Sequence, residues 1–215
     1  MKISLLLIST ITLIIGVIMT INVKAYAAGK TTPPSDDGIN KVVIDAGHGG
    51  SDPGTTQCPD MYESKANLII ANKLRSLLEN SGIGVYMTRT DDVYMTNEQR
   101  YTYANSTDAD VLVSIHLNGS TDHSVNGTLG LYSKPKKDKS FATTVHSGMA
   151  SDLNVPDRGL TNFMSGVILK FNKPATIVEA VYLSNTDECN DIKNGDRTDE
   201  IAQAIFNGIN RWFTK

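Results

Sequence analysis

Apolar residues recur along this chain in two rhythms. Short continuous runs at Lys41–Ala46 (KVVIDA), Ile83–Thr88, Val111–His116 and Ala175–Leu183 read as buried strands. Thr128–Ser133 reads as another after the Asn126-Gly127 turn, and Ser165–Phe171 as one more. Between the runs the spacing becomes helical. Ala66, Ile70, Leu74, Leu77 and Leu78 form one face over residues 63–80, and Asn80-Ser81-Gly82 is the stop signal. Thr96 and Gln99 make a T-x-x-Q capping box, which predicts a helix to about Ser106. Further helices are expected over 139–153 and from Ser184 onward. Ile201, Ala204, Ile205, Ile209 and Trp212 mark the inner face of a final one. Strands alternating with helices predict an α/β fold around a twisted, mostly parallel sheet. No internal repeat or heptad pattern interrupts this order.

The N-terminus follows neither rhythm. Residues 3–23 carry no charge, Lys2 precedes them, and Lys24 follows with Ala25-Tyr26-Ala27 behind it. The small-x-small pattern predicts that 1–27 is a cleaved signal peptide. A run of 21 uncharged residues is also long enough to serve as a membrane anchor. Either reading exports the remainder. Residues 28–39 (AGKTTPPSDDGI) read as a linker, so the domain is expected over 40–215. With 40% hydrophobic and 20% charged residues in 215, the chain is neither disordered nor a polytopic membrane protein. Its net charge of -3 offers no basic surplus for neutralising phosphates, which argues against a nucleic-acid partner.

Polar side chains stand where three apolar runs end or break. His48 follows the run 41–46 inside Gly47-His48-Gly49-Gly50, His116 closes the run from Val111, and Glu179 interrupts ATIVEAVYL. In open α/β sheets, function gathers beyond the carboxyl ends of strands. A carboxylate in so apolar a strand must be paired or given a task. Either Glu179 is a general base whose pKa burial has raised, or it is held in a buried salt bridge. The glycine-rich loop around His48 could fold about a metal or a phosphate; no G-K-[ST] or G-x-G-x-x-G supports the phosphate reading. Two histidines on neighbouring strand ends suggest a metal, and a catalytic zinc needs a third ligand. Glu63, at the predicted start of the first helix, competes for that role with Asp45, Asp52 and Asp60. His123 and His146 read as solvated.

Seven segments occur in an order that resembles the zinc-dependent N-acetylmuramoyl-L-alanine amidases of the type-3 family. They are VVIDAGHGGSDPG at 42–54, Glu63 opening its helix, MTRTDD at 87–92, QRYTYAN at 99–105, ADVLVSIHLN at 109–118, DRGL at 157–160 and PATIVEAVYLSN at 174–185. The resemblance covers about 41–213. It implies a phosphorylase/hydrolase-like sheet of about six strands flanked by helices. It implies Zn2+ held by His48, Glu63 and His116, with Glu179 as the catalytic glutamate. The substrate implied is peptidoglycan, cut between N-acetylmuramic acid and L-alanine. Asp45 and Asn118 would orient an imidazole or make local turn bonds. Arg89 would bind a substrate carboxylate or serve structure, and Arg100 would lock its helix to the sheet. Ala46 stands where the family usually has proline, and Ala180-Val181-Tyr182 replaces the usual residues after the glutamate. Export permits a disulfide between Cys58 and Cys189, with unbridged cysteines as the alternative; sulfur ligation of the metal is a third reading that the His and Glu ligands make unnecessary. Without wall-binding repeats, targeting falls to the N-terminal segment, a regulatory protein partner or the substrate itself. The competing readings are a non-catalytic peptidoglycan-binding relative and a zinc peptidase or deacetylase.

Overall fold

The computed structural model describes residues 38–215. The expected signal peptide and most of the expected linker lie outside the described residues. Six strands form one sheet in the order β2-β1-β3-β6-β4-β5. They are β1 (Lys41–Ala46), β2 (Gly84–Met87), β3 (Val111–Asn118), β4 (Thr128–Tyr132), β5 (Asp157–Asn162) and β6 (Ala175–Tyr182). β1 pairs in parallel with β2 and β3, and β3 pairs in parallel with β6. β4 then runs antiparallel to β6, and β5 runs parallel to β4. The α/β expectation therefore holds, with a reversal beyond β6.

Helices cover the sheet unequally. On one face lie α1 (Glu63–Asn80), α3 (Pro135–Asp152), α5 (Thr186–Asn194) and α6 (Asp196–Phe213), closing the larger core around Ile44, Leu74, Phe141 and Ile205. α3 and α6 come close because Gly148 meets Gly208: a Cβ on Gly148 would stand 2.7 Å from the Ala204 carbonyl. On the other face only α2 (Asn97–Asn105) and α4 (Gly166–Lys170) shield a smaller core around Leu112, Val167, Ile168 and Ile177. That thin cover leaves part of the sheet open as a cleft. The Thr96–Gln99 capping box forms as its pattern predicts, with both reciprocal bonds present.

Two expectations are corrected and one strand was not foreseen. Ser165–Phe171 is the turn of helix α4, not a strand: Val167, Ile168 and Phe171 lie on one helical face against the smaller core. A short apolar run does not by itself distinguish the two. Strand β5 was not foreseen, because its sequence DRGLTN is polar and an edge strand needs little apolar surface. Helix α3 starts at Pro135, earlier than its apolar spacing suggests, because proline suits the first helical position. Cys58 and Cys189 are joined in a disulfide, with Cα atoms 5.5 Å apart.

Candidate active site

The parallel strands β1, β3 and β6 end on the same edge, and the chemistry collects there. After β1 the chain turns through positive φ at His48 (60°), Gly49 (132°) and Gly50 (58°). Such a conformation at a non-glycine residue costs on the order of 1–3 kcal/mol and needs support from its surroundings. Two buried arginines supply it. Arg89 donates to the carbonyls of Ala46 (2.8 Å), Gly47 (2.9 Å) and Ser64 (2.7 Å). Arg100 donates to the carbonyls of Ala46 and His48, each at 2.8 Å. Arg89 therefore serves structure and does not face the substrate cleft. Arg100 ties α2 to the sheet as foreseen, through Asp45 at 2.8 Å. Asp45 also accepts from Thr88 and Ser114, both at 2.7 Å. Burial works against its charge, but Arg100 and these hydroxyls hold its carboxyl below the usual range. It orients no imidazole. That task falls to Asp52, 2.8 Å from His48 Nδ1.

Gly47 makes room for the second histidine. A Cβ there would lie 2.4 Å from the His116 ring. The two rings meet edge to face with centroids 4.8 Å apart. Between them stands Glu63, whose Oε1 is 3.2 Å from His48 Nε2 and 3.1 Å from His116 Nδ1. The loop 47–62 brings it there, and its second half closes where Glu63 N donates to the Thr55 carbonyl at 3.0 Å. Thr55 N returns a bond to Glu63 Oε2 at 2.9 Å. Of the competing acids, Asp60 is exposed, Asp45 lies beneath the loop, and Asp52 backs His48. The sequence reading missed Asn67, one helical turn after Glu63. Its Nδ2 reaches both Glu63 Oε1 and the Gly47 carbonyl, each at 3.3 Å. The i,i+4 spacing from Glu63 was the signal that could have found it.

His48, Glu63 and His116 can each offer one atom to a metal ion, all within 4.8 Å of one another. Donors bound tetrahedrally at about 2.0–2.1 Å stand about 3.3 Å apart, close to the separations from Glu63 here. The donor set also fits electrostatically. Burial lowers the His48 pKa, but Glu63 and then Asp52 outweigh it and raise it to about 9. Burial would raise that of Glu63, but bonds from His116 and His48 hold it far below its ordinary value. Protons thus hold these groups together where a divalent cation can replace them.

Glu179 lies directly across the β3–β6 ladder from His116. Burial pushes its pKa up to about 7, opposed mainly by His116. The charges acting on it come from His116, Glu63 and His48, with no lysine or arginine among them. The buried salt bridge is therefore not what holds it. A cleft of about 650 Å³ runs from His48 and His116 past Glu179 over Leu129, Leu131 and Ile177 to Phe163. Asn118 accepts a local bond from Gly119 N at 3.0 Å, which fits its turn reading. His123 is exposed, as expected, and bonds the Ser184 carbonyl at 2.6 Å. His146 is not solvated: it is buried under β4, 2.7 Å from Asp157.

An α/β sheet with a His–Glu–His set at its strand ends, and a free carboxylate across from it, has the layout of a metal-dependent hydrolase. The family model for N-acetylmuramoyl-L-alanine amidases matches residues 42–211, and the chain belongs to that family of peptidoglycan hydrolases. The catalytic domain of the amidase CwlV from Bacillus (Paenibacillus) polymyxa var. colistinus is 35% identical with a TM-score of 0.78. The match covers 82% of this chain and 99% of that one. The sporulation-specific N-acetylmuramoyl-L-alanine amidase of Bacillus subtilis is 30% identical over 80% of this chain and 68% of its own length. A CwlD amidase from Clostridioides difficile, solved in complex with the GerS lipoprotein, is 27% identical with a TM-score of 0.71. That match covers 81% of this chain and 98% of that one.

Proposed function

We propose that the domain 40–215 hydrolyses the amide between the lactyl group of N-acetylmuramic acid and L-alanine, using zinc held by His48, Glu63 and His116. The observation that carries this reading is Glu179, an unpaired carboxylate facing the three proposed ligands across one ladder position. A zinc ion in such a site supplies Lewis acidity, lowering the pKa of a bound water from about 15.7 to about 7. Glu179 takes the proton of the attacking water and passes it to the departing nitrogen of L-alanine. In the metal-free protein burial raises its pKa, the direction that eases return of a proton to the leaving group. Asp52 fixes the His48 ring so that Nε2 faces inward. The arginine-clamped loop holds that geometry through the reaction. Export by residues 1–27, cleaved or retained as an anchor, supplies access to the wall. A regulatory protein partner is a reasonable addition, since a related amidase was solved with a lipoprotein.

The test is digestion of purified peptidoglycan with and without a chelator, followed by mass analysis of the products. Chelator-sensitive release of intact stem peptides with free L-alanine amines is expected. New peptide carboxylates or free acetate would instead identify a peptidase or a deacetylase. Stoichiometric zinc without any release would favour a binding relative or an enzyme awaiting its partner.

A further inference from the structure

The edge of the sheet opposite the active site has its own chemistry. β1, β3 and β6 begin there, and β4 ends there. Helix α3 starts on this edge with Lys134-Pro135-Lys136-Lys137-Asp138-Lys139. Lys136, Lys137 and Lys139 are exposed, as is Lys170 at the end of α4, and Lys173 is half-exposed before β6. These segments are physically joined. Lys134 Nζ donates to the carbonyls of Ile168 and Phe171, and Lys137 Nζ to that of Asn172 at 2.6 Å. Lys134 is also paired with Asp138 at 3.1 Å, whereas the carbonyl partner of Lys137 leaves its ammonium charge unneutralised. Asp138 is buried and engaged with Lys134 and the backbone N–H groups of Ser133, Lys134 and Ala175. Asp108 is taken by Lys41 at 2.8 Å. Asp110 bonds Lys41 N at 2.8 Å and lies 4.0 Å from Lys173. Lysines at the start of a helix oppose its dipole, so they weaken α3 rather than help it.

The catalytic edge has the reverse charge. Its loops and the first turn of α5 expose Asp60, Asp91, Asp92, Asp122 and Asp187 against Lys65 in the first turn of α1, while Arg89 is buried and Arg158 lies over the Tyr182 ring at 5.2 Å. From Ala175, two residues after Lys173, to Glu179 the strand rises about 13 Å, more than a Debye length at physiological salt. The two fields are thus separate.

Two further observations choose the partner. Met164 is 67% exposed, and its neighbour Phe163, which closes the far end of the cleft, is tied to this edge through Ser133 Oγ and the Tyr132 carbonyl. An apolar tip beside lysines suits a lipid surface better than a wholly polar polyanion. The described chain also enters here: Asn40 and Lys41 lead into β1, preceded in sequence by Asp36, Asp37 and, farther back, the uncharged run 3–23. We propose that this lysine edge, with Met164, seats the domain on an anionic phospholipid surface. The catalytic edge then faces away from the bilayer, toward the wall.

The test uses the full chain with its N-terminal segment, reconstituted into phosphatidylcholine vesicles with or without phosphatidylglycerol. A membrane-impermeant amine reagent labels exposed lysines, and mass analysis reads each site. On anionic vesicles at low salt, Lys136, Lys137, Lys139 and Lys170 should lose reactivity by about fivefold or more. High salt should restore it, and Lys65 and Lys193 on other faces should not change. The combined K136E, K137E and K139E variant should lose protection at Lys170 while digesting soluble peptidoglycan fragments normally. Met164→Asp should weaken protection with the lysines intact. Equal labelling on both vesicle types overturns the proposal. So does protection by soluble poly(glycerol phosphate) that matches or exceeds that by anionic lipid, which would identify a wall polymer as the partner.

Discussion

The loop joining β1 to α1 and the middle of β6 bring carboxylates to the same cleft by different means. Glu63 arrives at the end of an irregular segment. That segment depends on Arg89, Arg100, Asn67 and the Cys58–Cys189 bridge for its shape. Glu179 arrives on a strand flanked by β3 and β4, where the ladder alone fixes it. The electrical settings differ as well: Glu63 lies between two imidazoles and stays ionised, while Glu179 has no paired cation and is held near neutrality of charge. A regular element delivers a side chain without helpers, which leaves it free to change its proton. An irregular one needs many partners, which suits a group that must stay put.

Substituting the two carboxylates separates these roles most sharply. Glu63→Ala should lose both activity and bound metal, measured by peptidoglycan release and metal content. Glu179→Gln should keep the metal and lose at least about 100-fold in rate. Activity within a few-fold of the parent would remove Glu179 from the proposed chemistry.

Removing the bridge probes the loop next. It spans 131 residues, and the Cys58→Ser, Cys189→Ser double variant should lose about 4 kcal/mol in denaturant unfolding. Arg89→Ala leaves buried carbonyls of Ala46, Gly47 and Ser64 short of a donor and should cost about 3 kcal/mol. It should also speed metal loss to a competing chelator. Lysine should not rescue it, because one ammonium cannot reproduce the planar fork.

Acidity separates the two carboxylates with opposite signs in the metal-free protein. Glu179 has a raised folded pKa, about 7 against 4.5, so the unfolded chain ionises first and stability falls as pH rises through that window. The loss reaches at most about 3 kcal/mol. Glu179→Gln should therefore be the more stable protein at about pH 8, with the gap closing at about pH 4, as read by urea midpoints. His48 contributes stability that is complete below 6.5 and gone above about 9. Glu63, with its lowered pKa, contributes stability above 4.5 that disappears in acid. The smallest effect belongs to Thr96→Ala, which uncaps the helix carrying Arg100 and should cost about 1 kcal/mol in thermal or urea unfolding.

The same contrast explains what was legible in the sequence. Glu179 and His116 could be read directly, because a polar residue in a buried strand has few innocent explanations. His48 could be read from its place just after a strand. Glu63 could not be separated from Asp45, Asp52 and Asp60 by spacing; its place at the start of the first helix and its family motif favoured it. The path of residues 47–62 depends on donors from α1, α2 and the segment after β2, none of them local. His146 and β5 were misread or missed for a related reason: each is fixed by the other, through Asp157, and not by its own neighbourhood. The helices α1, α2 and α6 were legible because periodicity and caps are local.

The position of β6 has a consequence for how the chain comes together. It is the last strand to leave a ribosome or a translocation pore, yet β3 lies on one side of it and β4 on the other. Until residues 175–182 emerge, β4 and β5 have each other but no sheet to join. Only then can Cys189 reach Cys58, and only then does Glu179 meet His116. A growing chain therefore holds both histidines and Glu63 through the 63 residues that separate His116 from Glu179 without a working cleft, and the capacity to cut waits on the arrival of β6.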